Sequence, residues 1–310
     1  MKILEITKAQ YAERAMSTMS LTIGWIGLGK MGLPICRRLR TAGYDVTVFV
    51  RNALGRERAV ANGFAAVDSI AALSTSCDVV FAAISDDAAL TEIVAGPGAL
   101  SACLKSNQVF VDTSTVSPAA SQEAAKLLAA TGARYLRAPL SGSTAMAEAG
   151  NLTTFVSGPK AIFERLTPVL AAYTRKQFHV GEGEEARHLK LAINLLVGAT
   201  AALLGEALSF GRKGGLETAM MLEVISQSAV ASPLIDYKRK MLIEQDFTPA
   251  FTVQQIMKDY DLLLATGRAE SCRLPLAALV REQFAAVSAL GHGQSDFFVV
   301  AASGVCSARP

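Results

Sequence analysis

From Leu21 to Val180 the chain alternates short β-branched runs with stretches of helical period. Leu21–Ile26, Asp45–Val50, Asp78–Ile84 and Gln108–Val111 each place a few apolar residues between polar or turn residues, the pattern of a strand. Met31–Thr41 and Ser117–Ala130 carry helical patterns between them. Thr154–Val156 and Gln177–Val180 flank a helical stretch at Lys160–Ala171 and read as further strands of the same sheet. Strands alternating with helices predict βαβ units and a mainly parallel sheet.

After Gly183 the strand signals stop. Glu184 to Lys213 holds no proline, and Gly198, Gly205 and Gly211 are only weak breakers. At 1.5 Å per residue this stretch makes a helix of roughly 45 Å. Gly214-Gly215 supply the stop. Further helices are predicted at Glu217–Ser228, Pro233–Glu244, Val253–Thr266, Pro275–Ala289 and Ser295–Ala302, with Gly267 and Gly291 as C-terminal caps. The expected organisation is a short arm over residues 1–19, an α/β domain over 20–183 and an all-helical domain over 184–310.

Composition adds limits. Of 310 residues, 51% are hydrophobic and 18% charged, which fits a globular chain with a large core and not a disordered one. The net charge of +3 is too small to point to nucleic acid. Mean hydropathy of +0.33 raises the question of a membrane span. The longest apolar helical run, Leu191 to Gly205, is shorter than the roughly 20 residues a span needs. It reads as a buried core helix, with no membrane partner expected. Five scattered cysteines and three histidines show no metal-ligand spacing, so no metal is expected. No apolar signal segment opens the chain, and the expectation is a cytoplasmic protein with reduced thiols.

Gly27-Leu28-Gly29-Lys30-Met31-Gly32 follows the first strand and opens the first helix. In that setting G-x-G-x-x-G predicts a dinucleotide site in a Rossmann-type, doubly wound domain. Gly27 permits the turn, Gly29 lets the backbone approach a pyrophosphate, and Gly32 lets the helix pack on the strand. The new helix N-terminus then holds the anion. At the end of the second strand, NAD-binding units place a carboxylate for the ribose hydroxyls. Here Val50 is followed by Arg51 and Asn52. A guanidinium suits a 2′-phosphate, so NADP is the expected cofactor, with NAD second. Arg56 and Arg58 read as solvated helix surface.

Three further motifs complete a resemblance. They are Asp112-Thr113-Ser114-Thr115-Val116-Ser117-Pro118, Ala138-Pro139-Leu140-Ser141-Gly142-Ser143, and Lys190-Leu191-Ala192-Ile193-Asn194. With the glycine turn, and in this order, the chain resembles the β-hydroxyacid dehydrogenases over nearly all of its length after residue 20. The resemblance implies that Ser114 and Thr115 line the substrate and nicotinamide pocket. Ser141 and Gly142 would offer a hydroxyl and N–H groups to a carboxylate. Lys190 would be the catalytic acid/base and Asn194 would help hold the substrate. Lys258, in a segment like the family's Lys-Asp stretch, would reach toward the cofactor. Asp296 is read as a helix cap.

The residues themselves agree with these roles. Hydride transfer needs a base on the hydroxyl, and its reverse an acid on the carbonyl oxygen. A partly desolvated lysine, lowered from about 10.4 toward about 7–8, serves both. Lys190 and Asn194 share a helix face at i, i+4 spacing. The chain departs from the family at Ser143 and Met146, where glycines are usual, and at Ile193, where an asparagine is common. The upstream Gly181 and Gly183 are displaced as well.

The expected activity is an NADP-dependent oxidoreductase acting on a small β-hydroxyacid or short semialdehyde, with the nicotinamide between the two domains. A catalytically silent NADP-binding interaction module and an imine reductase are the alternatives; Lys190 argues against both. The long apolar helix points to a homodimer or homotetramer.

Overall fold

The computed structural model describes residues 21–303, so the arm expected over 1–19 lies outside them. Nine strands form one sheet: β1 Thr22–Ile26, β2 Asp45–Phe49, β3 Ala65–Val67, β4 Val79–Ala82, β5 Val109–Asp112, β6 Arg134–Arg137, β7 Leu140–Ser141, β8 Leu152–Ser157 and β9 Thr174–Gly181. Their order is β3-β2-β1-β4-β5-β6-β8-β7, with β9 paired to β8. From β3 through β6 every pairing is parallel. The run 3-2-1-4-5-6 is the doubly wound dinucleotide-binding order, whose crossover lies between β1 and β4. β8 then turns antiparallel to both β6 and β7.

The central strands are apolar on both faces, as buried parallel strands should be. Ile23, Trp25, Val79, Phe81, Val109 and Val111 face one core, while Ile26, Val80, Ala82 and Phe110 face the other. Trp25 stacks on Phe81 at 5.5 Å and Phe110 on Tyr135 at 5.3 Å. Truncating such a buried aromatic typically costs about 3–5 kcal/mol.

The second half is helical as its pattern predicted. Its long helix spans Glu185–Lys213, followed by Thr218–Ser226, Pro233–Glu244, Val253–Ala269 and Pro275–Val287. Gly215 has φ +84° at the predicted stop, and Gly291 has φ +95°. Gly267, expected as a cap, lies inside Val253–Ala269 instead. A Cβ there would sit 2.7 Å from Leu274 Cδ1, so this glycine admits a close neighbour. Gly198 and Gly205 act likewise: a Cβ would meet the Tyr260 ring at 2.5 Å or the Ala301 Cα at 2.9 Å.

By contacts the chain divides into Met1–Lys190 and Leu191–Pro310, within the long helix; the change of sequence pattern falls at 183. Among the described residues this helix alone is long and apolar enough to cross a membrane. Its Leu191, Leu204 and Leu208 are buried in the core of the helical unit, the position of a core helix.

Candidate functional site

The glycine turn after β1 is built of three unlike glycines. Gly27 has φ +98°, and a Cβ on it would lie 2.2 Å from the Ala83 carbonyl oxygen. A Cβ on Gly32 would lie 1.9 Å from the Gly27 oxygen. That same oxygen accepts a hydrogen bond from Trp25 Nε1 at 3.1 Å. Gly29 meets nothing within 4 Å. The helix that follows, Gly32–Thr41, starts with no side-chain cap and no acidic residue in its first turn. Two glycines thus hold the backbone tight while the third leaves open space before an uncapped helix end. A pyrophosphate fits that cradle. Leu28 and Met31 are half-buried and Lys30 is exposed.

Beside the turn, Arg51 leaves the end of β2 with 71% of its side chain exposed, 3.5 Å from the Glu92 carboxylate. An exposed pair of this kind is weak and readily exchanged for another anion. Asn52 caps helix Ala53–Ala61 by accepting from the Gly55 N–H at 2.9 Å. Arg56 and Arg58 are exposed, as expected of helix surface.

At the ends of β4 and β5 the chain is gripped closely. Thr113 Oγ1 donates to the Ala82 carbonyl at 2.7 Å. The Ser114 N–H donates to Asp112 Oδ1 at 2.9 Å, and Ser114 Oγ accepts from the Ile84 N–H at 2.9 Å. Ser114 is buried, whereas Thr115 is half-buried. Ser117 caps helix Pro118–Ala129 through the Ala120 N–H at 3.0 Å. Strand β7 runs antiparallel to β8, and β8 to β6, so β7 shares the direction of β6. Ser141 and Gly142 therefore stand at the end of a strand that points the same way as the strands leading into Gly27, Arg51 and Ser114. Gly142 has φ +135°, and a Cβ would meet Leu152 Cδ2 at 2.7 Å. Ser143, standing where the family has glycine, caps helix Thr144–Glu148 by accepting from the Met146 N–H at 3.3 Å.

Ser157 at the end of β8 is in register with both Arg137 of β6 and Gly181 of β9. The long helix thus begins beside the carboxyl ends of β5 and β6. Glu184, just before it, and Arg187, in its first turn, are two residues the sequence reading passed over. Glu184 pairs with Arg137 through Nη2. Arg187 pairs with Asp112 at 2.6 Å. Lys190 follows on the same helix and is half-buried.

Tyr135 lies in this cluster. Burial pushes its phenol up to about 12, with Arg187 opposing and Asp112 adding to the shift. In the unfolded chain it titrates near 10. The folded state holds the proton more tightly. The resulting stabilisation is therefore intact below about pH 10 and lost as pH rises toward 12. Unfolding free energy should bend downward above pH 10. Tyr135→Phe should flatten that fall by about 1.4 kcal/mol per pH unit in alkaline denaturation curves.

In the helical unit Asn194 is 6% exposed and Asp259 2%. Asn194 Nδ2 donates to Asp259 Oδ2, and Lys258 Nζ lies 3.0 Å from Asp259 Oδ1. Asp259 thereby joins two of the expected site residues and turns the amide nitrogen of Asn194 toward itself. Asp296 caps through the Phe298 N–H at 3.1 Å, as expected, and also pairs with buried Lys238 at 2.7 Å.

Residues 22–181 match the family model of the NAD binding domain of 6-phosphogluconate dehydrogenase. Residues 184–302 match that of the NAD-binding part of NADP-dependent 3-hydroxyisobutyrate dehydrogenase. Over 282 residues the chain is 34% identical to 2-(hydroxymethyl)glutarate dehydrogenase of Eubacterium barkeri, covering 91% of this chain and 94% of that one. It is 31% identical to the chloroplastic glyoxylate/succinic semialdehyde reductase 2 of Arabidopsis thaliana, over 91% and 78% of the two chains. Among solved structures, 3-hydroxyisobutyrate dehydrogenase of Mycobacterium tuberculosis with L-serine superposes with a TM-score of 0.84 at 25% identity, covering 91% and 98%.

Proposed function

Since the chain belongs to the β-hydroxyacid dehydrogenase family, we propose that it uses NADP and that Lys190 is its acid/base. It is an oxidoreductase that passes a hydride between a nicotinamide cofactor and a small hydroxyacid or semialdehyde. The observation that carries the cofactor half is the cradle over Gly29, open where both neighbouring glycines are blocked. Leu28, Lys30 and Met31 complete that turn, and Arg51 stands at the neighbouring strand end for a 2′-phosphate. Lys258 is the cofactor-facing residue of the helical unit in this reading.

A bound nicotinamide would supply or accept the hydride. Ser114, Thr115, Ser141 and Gly142 hold the substrate carboxylate through hydroxyl and N–H donors. Ser114 suits this role: its oxygen already accepts the Ile84 N–H, which leaves its own hydrogen to donate. In reduction the Lys190 ammonium gives a proton to the carbonyl oxygen; in oxidation the neutral amine removes it from the hydroxyl. Asn194, held by Asp259, orients the reacting groups.

A panel of short aldehydes and hydroxyacids, each run with NAD(H) and NADP(H), tests this reading. NADPH should be preferred. Arg51→Ala should lower kcat/KM with NADPH by about 10- to 100-fold, the worth of a charged hydrogen bond, and leave NADH rates unchanged. Preference of the unaltered enzyme for NADH would refute the role of Arg51. Tight NADPH binding without turnover of any substrate would instead favour a silent binding module. Self-association, as a dimer or tetramer, is supported by Leu196, Leu203 and Phe210, which recur every seventh residue on the long helix and are exposed.

A further inference from the structure

Arg187 is 1% exposed. Taking a guanidinium out of water is costly unless its donors are met. Each nitrogen of Arg187 has a partner. Nη1 donates to the Ser114 carbonyl at 2.7 Å. Nη2 donates to Asp112 Oδ2 at 2.6 Å and to the Tyr135 hydroxyl at 2.9 Å. Nε donates to Ser121 Oγ at 3.2 Å. Burial alone would pull the guanidinium down, yet Asp112, Tyr135 and Glu184 together hold it above its ordinary value. It stays charged.

Its bonds converge on Ser114. Asp112 takes the Ser114 N–H, Arg187 takes the carbonyl, and Asp112 and Arg187 are bonded to each other. Arg187 stands one turn before Lys190, about 4.5 Å along the helix axis. A second clasp steadies that turn. Glu184, three residues earlier, pairs with Arg137, the register partner of Asp112 at the ends of β6 and β5. Arg137 also lies over the Tyr135 ring at 4.4 Å. Two pairs of opposite sign, one from the residue before the helix and one from its first turn, bind neighbouring strand ends and so fix the rotation of the helix start.

We propose that Arg187 is a positioning residue for the reaction: it fastens the turn carrying Lys190 to Ser114 and so sets the acid/base against the carboxylate-binding segment. This rests on the roles given above to Lys190 and Ser114. A purely structural role would not need this residue, because apolar side chains of similar volume often hold a core as well as a buried ion pair. They cannot hold a carbonyl at a fixed distance and direction.

Arg187→Lys keeps a charge for Asp112, but a single ammonium replaces the planar fork that reaches Ser114, Asp112 and Tyr135 together. In the full-length protein it should bind NADPH with a Kd within about twofold of the unaltered enzyme. Its kcat should fall by about 10- to 100-fold, the scale of a small misplacement, and the Lys190 limb of the kcat–pH profile should move. Lys238→Met, which breaks a buried ion pair in the helical unit, serves as the stability control. It should lower the melting temperature without changing kcat at the assay temperature. Unaltered kcat and pH profile in Arg187→Lys overturn the proposal, as does an equal fall in kcat in Lys238→Met. Should Arg187→Lys fail to fold, Tyr135→Phe decides. A several-fold loss of kcat at constant NADPH Kd supports the proposal, and an unaltered kcat overturns it. Lys190→Ala separates the two layers: if it collapses kcat while both Arg187→Lys and Tyr135→Phe are silent, only the positioning role fails.

Discussion

Lys190→Ala is expected to lower kcat by about 10²–10⁴-fold, the usual worth of a general acid or base, while NADPH still binds. The substitution suits the fold. Alanine has the highest helix propensity, and Lys190 lies within the continuous helix Glu185–Lys213. The side chain is half-buried, so its loss removes little packing. Fluorescence titration with NADPH and a melting curve should match the unaltered enzyme, which confines the defect to the chemical step. Added small primary amines should restore part of the rate, because they bring back the missing proton carrier. An unaltered kcat would remove Lys190 from the mechanism.

The second large effect separates two glycines three residues apart. Gly32→Ala places a methyl 1.9 Å from the Gly27 oxygen and 2.7 Å from Trp25 Nε1. Neither can yield easily: Gly27 is fixed against Ala83, and Trp25 is fully buried and stacked on Phe81. A cost of about 3 kcal/mol is expected, with a drop in melting temperature of about 6–12 °C. Gly29→Ala meets no atom within 4 Å. It should melt like the unaltered protein and still lose NADPH affinity by about a hundredfold, because the methyl occupies the path of the pyrophosphate. Calorimetric melting and NADPH titration on both variants test this. If Gly29→Ala binds NADPH normally, the cradle has been placed wrongly.

The glycine turn could be read from the sequence because it is local: strand, glycines and helix lie within about twenty residues. The central apolar strands were legible for the same reason. Strand β6 was not. It reads Arg134-Tyr135-Leu136-Arg137, two charges in four residues, and nothing nearby says that Arg137 will meet Glu184 from 47 positions away. Arg187 was missed likewise, since a lone arginine on a helix looks like surface, while its partner Asp112 lies 75 residues upstream. Asp259 follows Lys258 in the Lys-Asp stretch yet carries no expected role there, because its bond to Asn194 spans 65 residues. Gly198 and Gly205 looked like breakers; only the packing of Tyr260 and Ala301 shows them to be recesses.

The two segments proposed to hold the carboxylate differ in how freely they can vary. Ser114 has its N–H, its carbonyl and its oxygen all bonded within the fold. Exchanging its side chain for one without an oxygen leaves the Ile84 N–H without its acceptor beside a buried residue, so drift at that position is costly. The helix start from Ser143 to Met146 is bonded mainly to its own neighbours: Ser143 accepts from the Met146 and Ala147 N–H groups, and Met146 is 43% exposed. Two of the chain's departures from the family, Ser143 and Met146, lie here. If both segments bind the carboxylate as proposed, the reaction and the choice of substrate rest on different stretches of chain, a buried one locked to its neighbours and an exposed one that a substitution alters without disturbing the core.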